Sequence, residues 1–317
     1  MLTVEEALKA IVRHSSPLDA EAVPLLSALG RILAGEVVSD CDSPPFDKSL
    51  MDGYAVRSED TARGSATLKV VESVMAGQVP SHAVGTGQAT RIMTGAPLPP
   101  GADAVVPVEK TMAAPQYDDV HVGIAVKPGA NVLHRGESMR TGERIFDAGH
   151  LLRPQDLGVL AELGVANVSV RRRPRVAILA TGDELVPPDR PPGPGQIRNS
   201  NETLLIGLVA AAGCEPVPLG IARDEKEELR AKIDVGLQCD MLLLSGGVSA
   251  GLLDLVPSVL QEAGVEQVFH KVSVKPGKPV WFGRKGSGVR GQGSGNQEQG
   301  TGDGERRAER DHVAPIP

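Results

Sequence analysis

Cysteine is scarce: three residues in 317, Cys41, Cys214 and Cys239, stand apart with no CxxC pair. That spacing excludes a disulfide framework and a cysteine-built zinc site, and leaves reduced, mostly buried thiols. Long apolar runs are missing too. Hydrophobic residues make up 41% of the chain, yet no run approaches the roughly 20 needed to cross a bilayer. The start, MLTVEEALKAIV, carries acids where a signal peptide carries basic residues. A cytoplasmic protein without membrane association is expected. Net positive charge is absent as well: 33 Lys plus Arg stand against 40 Asp plus Glu, a balance of −7. A global nucleic-acid-binding surface is thereby excluded, so any anion binding must be local. There is no Walker loop, no GxGxxG turn, no readable Ser/His/Asp or Cys/His set, and no metal-ligand spacing among the seven histidines, including His134 and His270. Chemistry without a side-chain nucleophile points to a template mechanism, in which charged groups and a metal hold anions in line for attack.

What is present is organised around residues 240–282. The apolar run Met241 to Leu244 empties into Ser245-Gly246-Gly247-Val248-Ser249, and Leu252, Leu255, Val256 and Val259 then recur at helical steps, with Pro257 in the first turn. A β-branched run, Val268 to Val274, ends in Lys275-Pro276-Gly277-Lys278. Two adjacent strands are thus expected to deliver a glycine turn and a lysine pair to one sheet edge, the ligand crevice of an open parallel sheet. Upstream, strand-like Val176 to Ala180 runs into Thr181-Gly182-Asp183-Glu184, followed by a helix from Asn201 to Ala212, a strand from Pro216 to Ile221 and a helix from Asp224 to Leu237. This alternation predicts an α/β domain with a parallel sheet covered on both faces.

The N-terminal part reads differently. Thr3 and Glu6 make a capping box ahead of Val4, Ala7, Leu8, Ile11 and Val12, and a second helix is expected from Pro24 to Leu33. Residues 41–60 are turn-rich and hold Asp42, Asp47, Asp52 and Asp60, either as a connector or as a site. Short β runs separated by Gly and Pro fill residues 65–126, a small inserted β module in which Thr94 is either a turn cap or a functional hydroxyl. A helix from Pro154 to Leu163 and a strand from Val165 to Val170 lead on to the α/β part. After Phe282 the chain is Gly, Gln and charge, and is expected to be disordered.

Glycines let backbone N–H groups approach phosphate closely, and Lys275 and Lys278 bracketing Pro276-Gly277 put positive charge on a rigid turn suited to an oxyanion. Lys271 reads either as part of that set or as a solvated strand end. Singly, Asp183, Glu184, Asp224 and Asp254 read as helix caps or solvated faces; converging beside a phosphate pocket they would suit Mg²⁺.

Five segments, PPFDKSLMDGYAVR at 44–57, RIMTGAPLPPGADAVVPVE at 91–109, VAILATGDEL at 176–185, SGGVS at 245–249 and VKPGKPVWFG at 274–283, together resemble the MoeA family of molybdopterin molybdenumtransferases, in order and spacing over residues 1–285. The resemblance implies an α/β fold class: a parallel-sheet molybdopterin-binding domain of the MoaB/MogA-like kind at 173–284, a small β domain at 41–139, a helical N-terminal and linker region at 1–40 and 140–172, and the polar tail at 285–317. It implies insertion of molybdate into adenylyl-molybdopterin with release of AMP, Mg²⁺ or a similar ion, and a homodimer. Asp52, Thr94, Glu184, Asp224, Asp254, Lys271, Lys275 and Lys278 match the family's functional positions. Thr181, Gly182, Asp183, Ser245, Gly246, Gly247, Ser249, Pro276 and Gly277 fall on its pterin-binding turns, and Glu184, Asp224 and Asp254 on its metal side. Departures are Leu252, where relatives carry an acid, Gly136-Glu137-Ser138 in place of GED, and the absence of GLPGNPVS and a final β domain from these 317 residues. A non-catalytic pterin-binding scaffold, and an amidase on the same α/β module, are the rival expectations.

Overall fold

The computed structural model describes residues 1–114, 118–246, 255–275 and 277–286. The chain divides into two bodies, Ser15–Gly246 and a second made of Met1–His14 with Gly247–Pro317. Among the described residues, no helix is long and apolar enough to cross a membrane. The polar tail expected to be disordered lies outside the described residues beyond 286.

Within Ser15–Gly246, the inserted module is a six-stranded sheet in the order Ala104–Pro107, Gly53–Val56, Gln88–Ile92, Ala66–Val74, Asp119–Val122, Thr111–Ala114. Its Gly53–Val56 strand is buried throughout. Tyr54 and Val56 pack into one core with Leu68, Val106 and Val120, while Ala55 packs into the other with Val74, Ile92 and Val105. Side chains alternate across a strand, so a central strand covered on both faces must be apolar at every position.

The second helix expected from Pro24 to Leu33 is not formed. Ala20–Pro24 is a strand, antiparallel to Asn167–Arg171, and it runs into a single 3₁₀ turn at Leu25–Ala28. Gly30, at φ +70°, turns the chain out of helical geometry. Isolated bridges from Ile32 to Leu151 and from Leu33 to Val170 come next. Ala28 and Leu33 still face one core with Leu152, Leu160, Val168 and Val170, whereas Leu29 and Ile32, which suggest helical spacing, are exposed. The Pro154–Glu162 helix supplies Leu160 to this core.

From Arg175 to Ser245 the α/β alternation is as expected, whereas the strand expected to join Met241–Ser245 at the same sheet edge does not do so: Val265–His270 lies in a separate two-stranded sheet. Strands Glu215–Ala222, Arg175–Thr181 and Met241–Ser245 form a parallel sheet in that order, with Arg175–Thr181 central. The Ser200–Ala211 helix packs Val209 against Val176 and Ile178. Lys226–Gly236 forms the next helix and buries Leu229 and Ile233.

In the second body, Thr3 Oγ1 accepts the Glu6 N–H at 3.2 Å and Glu6 Oε2 accepts the Thr3 N–H at 2.8 Å, completing the expected capping box of the Val4–Arg13 helix. Ala7 packs with Phe269 and Val272, joined by Ala10 and Ile11, whereas Val4, Leu8 and Val12 are exposed. The Val256–Glu262 helix holds Pro257 in its first turn. Strand Val265–His270 pairs antiparallel with Trp281–Lys285, a hairpin that residue spacing does not predict.

Candidate functional site

The central parallel strand ends at Thr181, and two glycines shape the turns at this end of the sheet. Gly182 sits at φ +145°, where a Cβ would fall 2.5 Å and 2.7 Å from the Glu184 carboxylate oxygens. The bare Cα therefore lets Glu184 fold back over the turn. Gly246, at φ +97°, ends the neighbouring strand; a Cβ there would meet the Thr181 carbonyl oxygen at 2.5 Å and Thr181 Oγ1 at 2.8 Å. Glycine at 246 is what lets the two strand ends lie side by side.

A two-residue parallel ladder, Leu185–Val186 with Ile197–Arg198, brings a third segment to these turns. The Ile197 N–H donates to the Glu184 carbonyl at 2.8 Å and the Asn199 N–H to the Val186 carbonyl at 2.9 Å. Asn199, 2% exposed, caps the Ser200–Ala211 helix: its Oδ1 accepts the Glu202 N–H at 3.2 Å and its Nδ2 donates to Glu202 Oε2 at 2.7 Å. The result is a cavity of about 120 Å³ lined by Thr181, Glu184, Ser245 and Gly246 on one side and by Ile197 and Arg198 to Asn201 on the other. Sequence spacing does not single out Arg198, Ser200 and Asn201. The Asn199-x-x-Glu202 pattern ahead of an apolar run is a capping signature that points to them.

Carboxylates crowd beside the cavity. Asp183 Oδ1 accepts the Asp224 N–H at 3.3 Å, and the Asp183 carbonyl accepts Arg223 Nη1 at 2.7 Å. Burial, then the charges of Asp183 and Glu184, push the Asp224 carboxyl above its ordinary value. A carboxyl raised in the fold opposes folding once both states are ionised. Asp224→Asn is therefore expected to raise the thermal midpoint at pH 7, with the gain vanishing as pH falls below the ordinary carboxylate range. Thermal unfolding of the two proteins across pH checks it; an unchanged midpoint at pH 7 would count against the crowding.

The expected metal trio of Glu184, Asp224 and Asp254 is only partly described. Asp254 lies outside the described residues, and among these no three His, Cys, Asp or Glu side chains gather as a metal site. Gly247, Ser249 and Pro276 also lie outside the described residues.

Asp52 and Thr94, 42 residues apart, meet in the small β domain. Asp52 Oδ1 accepts the Thr94 N–H at 2.7 Å and the Thr94 hydroxyl at 2.6 Å, and these two bonds hold the Asp52 carboxyl below its ordinary value. The Thr94 turn is fastened by Gly95, at φ +81°, whose N–H donates to the Ser49 carbonyl at 2.8 Å. The other acids of residues 41–60 act as pins. Asp42 accepts from the Thr141 N–H and Arg135 Nε, Asp47 from the Arg135 N–H, and Asp60 from the Gly87 N–H. Among the described residues lining the cavity, neither Asp52 nor Thr94 appears.

The lysines belong to the second body. The strand expected to reach Val274 stops at His270, because Lys271 adopts φ +75° and donates its N–H to the Val280 carbonyl at 2.8 Å. Lys271, Lys275, Gly277 and Lys278 all lie in the connection of the hairpin, with the three lysine side chains exposed and Gly277 at φ +100°. A lysine held at positive φ is backbone strain at one of the expected functional positions.

Residues 2–164, slightly more than half of the chain, match the family described as MoeA N-terminal region (domain I and II). The chain belongs to the MoeA family. Residues 177–297 of this MoeA chain match a second description, probable molybdopterin binding domain. The molybdopterin molybdenumtransferase of Nostoc sp. is 40% identical over 275 residues, which is 85% of this chain and 63% of the relative. The chain therefore spans less than two thirds of that relative's length. Molybdopterin molybdenumtransferase 2 of Mycobacterium tuberculosis is 37% identical over 296 residues, 90% of this chain and 72% of its own. Among solved structures, a molybdopterin biosynthesis MoeA protein from Pyrococcus horikoshii OT3 superposes with a TM-score of 0.78 at 34% identity, covering 90% of this chain and 72% of that one. The order of the MoeA match agrees with the fold: the small β domain and its flanking segments fall in the first matched region, and the parallel sheet with its cavity in the second.

Proposed function

We propose that the chain carries out the molybdenum insertion its relatives are named for: it binds adenylyl-molybdopterin and molybdate and transfers molybdenum to the pterin with release of AMP, as a cytoplasmic homodimer. The observation that carries this reading is the convergence of Thr181, Glu184, Ser245 and Gly246 on one cavity at the carboxyl ends of parallel strands, where open α/β sheets hold their ligands. Lys271, Lys275 and Lys278, exposed in the hairpin connection of the second body, carry the positive charge that the family resemblance assigns to phosphate and molybdate. Mg²⁺ suits the oxygen-only donors Glu184 and Asp224, with Asp254 as the third acid. When bound, it would neutralise phosphate charge. The crowding that raises the Asp224 carboxyl is the kind of repulsion a divalent ion relieves.

The homodimer rests on the family resemblance, which pairs the small β domain of one subunit, with its Asp52 and Thr94, with the α/β domain of the other. In this reading they complete the site of the partner subunit. AMP release from adenylyl-molybdopterin and molybdate tests the activity, and its absence would reject it. Asp52→Ala is expected to lower the rate by about 10²-fold or more, the scale of one lost electrostatic or positioning group. Mixing Asp52→Ala chains with Glu184→Gln chains is expected to restore roughly a quarter of wild-type activity, because half of the random dimers regain one intact site. No recovery on mixing would place Asp52 in the site of its own chain.

A further inference from the structure

We propose that the cavity between Thr181, Ser245 and the first turn of the Ser200–Ala211 helix is a tetrahedral-oxyanion site, with Arg198 as its charge-pairing residue. The proposal rests on the reading that the α/β part holds the substrate, and it adds which group sits there and which residues hold it.

Two independent observations meet at this point. The helix is 12 residues long and its first turn forms one wall. Its cap Asn199 spends Oδ1 on the Glu202 N–H. The Ser200 and Asn201 N–H groups are thereby left without an acceptor among the described residues, at the end of the helix where the backbone dipoles favour negative charge. Facing them is Thr181, 4% exposed, whose Oγ1 is buried with no hydrogen-bond partner. Buried hydroxyls find partners in nearly every protein, so an orphan on a cavity wall implies a partner that comes from outside. Gly246 keeps the approach to that hydroxyl open, since any Cβ there would lie 2.8 Å from it.

Charge and size narrow the ligand. The Arg198 side chain is exposed on the cavity rim and makes no ion pair among the described residues. The Arg198 guanidinium and the helix N–H groups only donate, and the Thr181 hydroxyl can donate as well, a set that favours an oxyanion. At about 120 Å³ the cavity is well below the roughly 300 Å³ of a whole small-molecule site, so it takes one group of a ligand rather than the whole. Glu184 lines the same cavity and opposes an anion through its charge. Binding must therefore tighten when that carboxylate is neutralised. The shared chemistry is a tetrahedral oxyanion, either the phosphate of the nucleotide or molybdate itself.

Calorimetric titration of the purified chain with inorganic phosphate, AMP and molybdate, each with and without Mg²⁺, tests the site. At least one is expected to bind. Arg198→Ala, at an exposed side chain that folding does not need, and Thr181→Val, which removes the hydroxyl and keeps the shape, are each expected to weaken it about tenfold. Glu184→Gln is expected to tighten the metal-free affinity several-fold. Competition assigns the source: displacement of AMP by phosphate but not by molybdate marks a nucleotide-phosphate site, and displacement by molybdate marks the molybdate site. Unchanged affinity in Arg198→Ala and in a Thr181→Val protein with native circular dichroism, or no binding of any of the three by wild type at millimolar concentration, overturns the proposal. Intact AMP release without oxyanion binding sinks this subsite and spares the transferase reading. Oxyanion binding without AMP release does the reverse.

Discussion

Gly53→Ala is expected to take apart the six-stranded sheet. A Cβ at this position would lie 2.0 Å from the Val106 carbonyl oxygen, 2.9 Å from the Val106 carbonyl carbon and 3.1 Å from the Pro107 Cα. All three are backbone atoms, so no side chain can turn away to make room. Nor can the strand shift: Gly53 is paired with Pro107 on one side and Ile92 on the other. Forced overpacking costs about 1–3 kcal/mol and sometimes more, and a clash held from two sides belongs at the upper end. A loss of about 3 kcal/mol corresponds to roughly 100-fold faster exchange of the sheet amides. Amides of Gly53–Val56 and Gln88–Ile92 are expected to show it, while those of Arg175–Thr181 keep their protection. The Asp52 carbonyl accepts the Val108 N–H at 3.0 Å on the adjoining residue, so the Asp52 to Thr94 bonds go with the sheet. Wild-type protection at both strands in Gly53→Ala would mean that the backbone gives where the geometry says it cannot.

That strand also marks a limit of what the sequence displays. Gly53–Val56 reads as part of a turn-rich stretch because a four-residue strand covered on both faces has no alternation to show. Its partners are set by contacts to Ile92 and Pro107, about 40 and 55 residues away. The parallel strands, by contrast, are legible. Each is a continuous apolar run, and helices of the right length separate them. The strand-end part of the candidate site comes from that alone, since Thr181, Gly182 and Ser245 must sit where parallel strands stop. Arg198 to Asn201 do not. They are carried to the cavity by a two-residue ladder that leaves no periodicity, although the Asn199 cap leaves a trace. Local spacing also misleads. Leu25 to Leu33 has helical intervals, and Gly30 together with bridges to Leu151 and Val170 overrides them. At the far end, the β-branched run to Val274 promises a longer strand than Lys271 permits at φ +75°. The five family segments do what periodicity cannot, because they name Asp52 and Thr94 together; the structure gives the reason in two hydrogen bonds across 42 residues.

Removing the Asp156 carboxylate is expected to unfasten the segment that carries the small β domain. Asp156 is 3% exposed in the first turn of the Pro154–Glu162 helix. Its Oδ2 accepts the Arg153 N–H at 2.8 Å, Arg153 Nε at 3.2 Å and His150 Nε2 at 2.9 Å. A carboxylate only accepts, so that imidazole nitrogen carries the proton. The ring is fixed from its other face by Phe146, stacked at 4.6 Å. The helix start, the chain reversal at His150 and the Leu152 to Leu160 core thus share one acid. Asp156→Ala strands these donors and removes the cap, for a loss of about 3 kcal/mol. The pH dependence identifies the cause. The Arg153 guanidinium bond, ahead of the backbone and His150 bonds, holds the Asp156 carboxyl far below its ordinary value. A carboxyl depressed by the fold contributes its full stability above the unfolded value near 3.9, and that contribution fades as pH falls toward the folded value. Urea unfolding of wild type and Asp156→Asn should therefore differ by a constant amount between pH 7 and pH 5, and the difference should shrink below about pH 4. A gap that stayed constant down to pH 2 would assign the loss to packing and leave the ionised carboxylate no part in it.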